Sequence, residues 1–165
     1  HVKLMTSYFP IDELREIKGL ENARFEDPYA GGIGNSVRFM AIAPRDDTLK
    51  VDGVPNLFCA GEKAGLFVGH TEAIATGTLA GHNAVRHSLG KALLNIPRST
   101  AVGEYNSYGR ERMETEEGLA DKFTFSGSVY FDRMNELGTY TTDVEEIQRR
   151  VEQAGVANIF MQPVA

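Results

Sequence analysis

The sequence predicts an α/β fold in which a strand, a glycine-spaced loop and a helix follow one another and lead into a mainly helical tail. Three observations carry this. Residues 56–60 (NLFCA) form a short apolar run bounded by Pro55 and Gly61, the pattern of a strand buried on both faces. Residues 71–86 (TEAIATGTLAGHNAVR) read as a helix, with Thr71 a candidate cap and Glu72 in the first turn. From Pro97 onward Arg, Glu, Tyr and Met replace the Ala and Gly of that helix, which predicts a boundary near Ile96 and two regions, 1–96 and 97–165.

The remaining elements follow from local punctuation. Residues 10–18 (PIDELREIK) predict a short helix, with Pro10 at the first helical position, acidic residues early, basic ones late and Gly19 just beyond. After residues 22–25 and a turn-rich stretch at 28–35, residues 36–43 (SVRFMAIA) read as a strand ending at Pro44. Gly31, Gly32 and Gly34 precede that strand, and no Gly-Lys-Ser/Thr follows them, so they predict a turn rather than a phosphate loop. In the helix at 71–86, Ala73, Gly77, Ala80, Gly81 and Ala84 form a small-residue stripe. Such a stripe admits another backbone or a flat ligand at close range, and helix packing alone would account for it. Farther on, Thr142 and Glu145 have capping-box spacing, and Val144, Ile147, Val151 and Ala154 make one apolar face before Gly155, a helix of about three turns. Val156, Ile159, Phe160 and Met161 predict a return segment against the same core.

Composition bounds the function. The chain has 165 residues and 42% apolar content, enough for a real core. It contains neither a run of about 18 apolar residues nor a signal-peptide pattern, so no membrane association and a cytoplasmic location are expected. Cys59 is the single cysteine, which excludes an internal disulfide, and no metal cluster is suggested. The net charge of −6 is concentrated late: residues 1–96 carry 10 basic and 11 acidic groups, residues 97–165 carry 7 and 12. An acidic tail is a poor docking face for a polyanion. The chain opens on His1 rather than Met, in what reads as the middle of a domain, and is expected to be a piece of a longer protein.

Candidate chemistry concentrates in residues 56–86. Ligands of α/β folds sit outside the carboxyl ends of strands, where Glu62 lies, and backbone N–H groups at a helix start near His70 to Ala73 offer donors and partial positive charge to an anionic group. Cys59 reads as an inert buried thiol. His70 lies in the loop before the helix, placed equally for ligand contact or for solvent; His82 lies in the helix and His87 at its carboxyl end. Arg110 and Arg112 beside Tyr108 invite contact with RNA, but Glu111, Glu114, Glu116 and Glu117 make them part of a solvated charged face.

One stretch is recognisable. Leu57, Phe58, Ala60, Gly61, Gly69, Glu72, Ala75, Gly77, Leu79, Ala80, Gly81, Asn83 and Ala84 resemble the last cofactor-binding motif of the GidA and TrmFO flavoproteins. The likeness extends to residues 19–23 (GLENA) and 96–100 (IPRST), roughly residues 15–105 in all. Glu62 stands for the usual Gln, Ile74 for the usual Ala, and the loop between Gly65 and Gly69 is one residue longer. The resemblance implies that residues 1–96 are the carboxy-terminal part of a Rossmann-like domain binding FAD, with an incomplete site here because the Gly-rich pyrophosphate fingerprint is absent. It further implies cofactor contacts at Gly61, Glu62, Gly69, His70, Thr71, Glu72 and Ala73, Glu62 accepting from a ribityl hydroxyl and the amides of residues 71–73 facing the flavin pyrimidine edge. Catalytic residues are not identified. For the intact protein it implies an FAD-dependent oxidoreductase with NAD(P)H as electron donor, a tRNA substrate, the remainder of the FAD domain as a partner, and a homodimer among the options. Two alternatives stand beside it: a non-catalytic protein-interaction module, centred on residues 97–165, and a flavin reductase with a small-molecule substrate.

Overall fold

The structure, a computed structural model, describes residues 11–23, 43–66, 69–119 and 128–164, and the chain divides into two units, His1–Ala41 and Ile42–Ala165. In the first unit, helix α1 spans Ile11–Arg15, with Asp12 and Glu13 in its first turn and Arg15 in its last, the arrangement the helix dipole favours. It is shorter than residues 10–18. Ile17 N–H donates to the Leu14 carbonyl (3.2 Å) and Leu20 N–H to Ile17 (2.9 Å), so tight turns replace the last helical turn. Gly19 adopts φ +94°, a conformation side chains disfavour, and Arg15 Nε closes the segment on the Ala23 carbonyl at 3.0 Å. The glycine turn at 31–34 and, apart from Ala43, the strand expected at 36–43 lie outside the described residues.

The second unit overturns the α/β expectation. Among the described residues there is no β-strand, only two isolated antiparallel bridges, Arg45 with Val51 and Lys50 with Phe58. Residues 56–60, expected as a strand covered on both faces, pair through two hydrogen bonds, Val51 N–H to Leu57 O and Cys59 N–H to Leu49 O, each 2.9 Å. One face stays open, with Leu57 49% exposed while Cys59 is buried. The physical reason is local. Pro44, Gly53 and Pro55 interrupt the pairing segments, and Asp46 gathers Thr48 N–H, Thr48 Oγ and Lys50 N–H on one carboxylate oxygen, curling the chain into a turn in which Leu49 takes φ 68°. The Rossmann-like strand–loop–helix arrangement is therefore not seen, and helices dominate the described part.

A 3₁₀ turn at Gly61–Ala64 leads toward helix α2, His70–Ser88. Its N-cap is Gly69, not Thr71, and no side chain caps it. Asn83, fully buried on α2, donates to the carbonyls of Thr48 and Leu94 and accepts from Leu94 N–H at 2.7 Å, fastening the helix to two loops. Helix α3 (Ala101–Arg112) starts on Thr100, whose hydroxyl accepts from Gly103 N–H at 3.1 Å, and α4 (Glu116–Leu119) and α5 (Ser128–Glu136) follow. Tyr105 and Tyr130 meet edge-on at 4.8 Å in a core that also holds Leu49, Leu66, Leu79, Ile96 and Met134.

Helix α6 spans Val144–Gln153 and is capped by Asp143, whose carboxylate accepts from Glu145 and Glu146 N–H at 2.9 and 3.2 Å; the expected capping box at Thr142 does not form. Val144 is 74% exposed, so the apolar face is only partly covered. Because α6 buries no residue fully, it depends on its cap: Asp143→Ala is expected to cost about 1 kcal/mol and to speed amide exchange at Glu145 to Ile147, and unchanged exchange would refute this. In the return segment Val156 packs on the core, while Phe160 meets His82 edge-on at 5.2 Å. No helix among the described residues is long and apolar enough to cross a membrane.

Candidate functional site

The 3₁₀ turn and the start of α2 come together around three small residues. Gly61 takes φ 58°, a left-handed conformation, and a β-carbon there would stand 3.5 Å from Cβ of Ala73. Gly61 N–H donates to Oγ1 of Thr76 at 2.8 Å, and that hydroxyl donates to the Glu72 carbonyl at 2.7 Å. Thr76 thus pins the turn against the first turns of α2. Gly69 has φ 149°, and a side chain there would collide with the Glu72 carboxylate, which folds back over the helix start.

The sequence-selected residues separate into two groups. His70, Thr71 and Ala73 are exposed at the start of α2, next to the half-buried Gly61. Glu72 is buried, and its charge, after burial itself, raises the Tyr105 phenol far above its usual range. The side chain of Glu62 lies outside the described residues. The arrangement offers a helix N-terminus whose N-cap, Gly69, carries no side chain, flanked by a glycine turn and by the folded-back Glu72 carboxylate; its N–H groups suit the anionic edge of a flat ligand.

Sequence reasoning missed the groups behind this surface. Arg45 is 2% exposed; its Nε donates to Ala64 O (2.8 Å), Nη1 to Asp46 O (3.0 Å) and Nη2 to Asn106 O (3.1 Å), so one side chain ties the turn to α3. Burial pushes its pKa down to about 10. An arginine wedged between Pro44 and two aspartates was the available signal, as was Thr76 one turn after Glu72. Cys59 is buried, its thiol donating to Leu49 O at 3.7 Å with its pKa raised by burial. Burial, then Arg86, lowers the pKa of His82, and His87 packs edge-on against Phe58 at 5.9 Å. Arg110 is engaged by Asp47 and Glu114, each at 2.8 Å. Among the described residues no group of three or more His, Cys, Asp or Glu is placed to hold a metal ion.

A family model described as GIDA, glucose inhibited division protein A, matches residues 1–92, more than half of the sequence. The chain belongs to this family. Within the GIDA family it is 36% identical over 92 residues to the methylenetetrahydrofolate–tRNA-(uracil-5-)-methyltransferase TrmFO of Ruegeria sp., covering 56% of this chain and 20% of that protein. It is 39% identical over 90 residues to the tRNA uridine 5-carboxymethylaminomethyl modification enzyme MnmG of Pediococcus pentosaceus, covering 53% of this chain and 13% of that protein. The chain therefore spans a fifth or less of the length of these curated relatives. No solved structure matches. All the candidate residues of this GIDA-family chain, Gly61 to Ala73, fall inside the matched span, whereas α3 to α6 lie beyond it.

Proposed function

We propose that this chain supplies the flavin-facing loop and helix of an FAD-dependent oxidoreductase that acts in tRNA modification, with NAD(P)H as the electron donor. The carrying observation is the uncapped start of α2 beside Gly61, with His70, Thr71 and Ala73 exposed around it. The residues fit the group: the left-handed Gly61 packs closely on the small Ala73, which keeps this surface low beneath a flat ring, and the helix start favours negative charge at its edge. A bound FAD supplies hydride chemistry. Gly61 and Gly69 shape the surface, Thr76 holds the turn in register, and the amides of residues 71 and 72 orient and stabilise the cofactor edge, while the Ala73 N–H donates to the Gly69 carbonyl at 3.1 Å and begins the helix. Residues 1–96 carry these contacts, and residues 97–165, which follow them in sequence, share the core of the second unit. The tRNA assignment rests on the names of the relatives and on the likeness of the motif.

The test uses Ala73→Asp in the full-length protein. A carboxylate in the first turn of a helix does not weaken the helix, so folding is preserved while negative charge enters the proposed site. FAD affinity, titrated on the apoprotein by the absorbance near about 450 nm, a property of the oxidised cofactor, is expected to fall at least about tenfold, a cost of about 1.4 kcal/mol. Unchanged affinity in this variant would overturn the reading. A second reading, favoured by Val144 at 74% and Met161 at 83% exposure, makes residues 97–165 a docking module. On that reading, the double variant Val144→Asp, Met161→Asp, at two exposed positions, spares FAD and abolishes partner binding.

A further inference from the structure

The helical region beyond residue 97 contains an arginine-lined cavity of about 420 Å³ between the loop leading into α3, the turn joining α5 to α6, and α6 itself. Its volume falls within the ordinary range for small-molecule sites, about 300–1,000 Å³. Three guanidiniums line it, Arg98, Arg149 and Arg150, against two carboxylates, Glu104 and Glu146. Both carboxylates are shared: Glu104 also receives Arg133 from another side, at 3.0 Å from Nε, and Glu146 receives both Arg149 and Arg150. With Glu111, which also engages Arg98, four guanidiniums meet three carboxylates, so a positive balance of one remains at this place, within a stretch whose overall charge is strongly acidic.

The guanidiniums are held in place before any ligand arrives. Arg150 donates through Nε to Glu146 (2.6 Å) and through Nη1 to the Gly138 carbonyl (2.7 Å), which a left-handed glycine at φ +65° presents. Arg98 is set by the buried Glu104, with Nε to Oε2 at 2.7 Å, and by Glu111. Nη1 of Arg149 and Nη2 of Arg150 carry no hydrogen bond among the described residues, and neither does the Gln153 amide that lines the same space. Pre-set, planar, multiply donating cations match the oxygens of a tetrahedral dianion, and little side-chain entropy is left to lose on binding.

We propose that this cavity is a phosphate-binding site, separate from the surface at the start of α2, that takes the phosphate group of a small phosphorylated compound or of a nucleic-acid backbone. The full-length protein titrated with inorganic phosphate at low ionic strength, followed by calorimetry and by phosphorus NMR, is expected to bind it saturably. Arg149→Gln should weaken that binding about tenfold. Arg149 is exposed and bonded only to Glu146, so the fold does not depend on it. Gln153→Glu, which places a carboxylate in the cavity without removing any hydrogen bond, should abolish binding. Titration with a short single-stranded RNA separates the two sources. Tighter binding of RNA than of inorganic phosphate, lost in both variants, assigns a backbone phosphate; binding of phosphate with no gain from RNA assigns a small compound. Absence of saturable phosphate binding, or equal binding in wild type and both variants, overturns the proposal.

Discussion

Replacing Gly103 with alanine is expected to destabilise the protein by about 3 kcal/mol, because the added carbon has nowhere to go. Gly103 sits in the first turn of α3, and a β-carbon there would collide with the backbone carbonyls of Ile96 and Pro97 and with the Pro97 carbonyl carbon at 2.5 Å. These are main-chain atoms, so no rotamer change relieves the contact. Relief requires α3 to move off the preceding segment, which would strain the Thr100 cap and the packing of Tyr105 below it. The companion change Gly81→Ala has nothing within 4 Å in α2 and is expected to be neutral or to stabilise by about 0.5–1 kcal/mol through helix propensity. Chemical denaturation of both variants decides: similar midpoints would sink the packing argument.

Glu104→Gln is expected to cost about 3 kcal/mol, near the lower end for breaking a buried ion pair, since its partners keep some access to water. The Glu104 side chain is 5% exposed and receives Arg98 from one side and Arg133 from the other, while Arg133 also lies over the Tyr108 ring, 4.2 Å from its centre. Burial alone would raise the carboxyl's pKa, but the two guanidiniums outweigh it and hold the pKa below the ordinary carboxylate value. The folded state therefore binds this proton more weakly than the unfolded chain. Its contribution is fully present above the unfolded-state pKa and is lost as pH falls through the lower, folded value. Wild type should lose stability on acidification below about pH 4 more steeply than Glu104→Gln. Parallel pH profiles for the two proteins would refute the assignment.

The sequence announced periodicity far better than pairing. Helix α2 was legible to within two residues because Thr76, Leu79, Ala80 and Asn83 recur inward at helical spacing, although Ala73, Gly81 and Ala84 of the small-residue stripe are exposed, and α6 because Val144, Ile147 and Val151 recur at helical spacing. Both caps were misplaced, since Gly69 and Asp143 hold those positions by backbone conformation and by carboxylate reach, which composition does not reveal. Residues 56–60 misled because an apolar run reads alike whether its neighbours are parallel strands or one antiparallel arm broken by Pro55. Arg45 and Glu104 were unreadable for another reason. Charge in a sequence gives no hint of burial, which here depends on partners 61 residues away for Arg45 and 29 for Glu104. The Gly61–Ala73 juxtaposition was anticipated as a set of candidates, whereas Thr76, which holds that turn, was not.

Arg45 has one more consequence. In most folds the joint between a loop and a distant helix is shared among many main-chain groups, so no single codon can remove it. Here the carbonyls of Ala64, Asp46 and Asn106 converge on one guanidinium, so the 3₁₀ turn's link to α3 is written in one triplet of the gene, while Asp47 separately joins the neighbouring loop to Ser107 and Arg110. Lysine cannot reproduce a planar fork that reaches three acceptors at once. The tie between the turn and α3 is therefore mutationally brittle, with little room for neutral drift at that position.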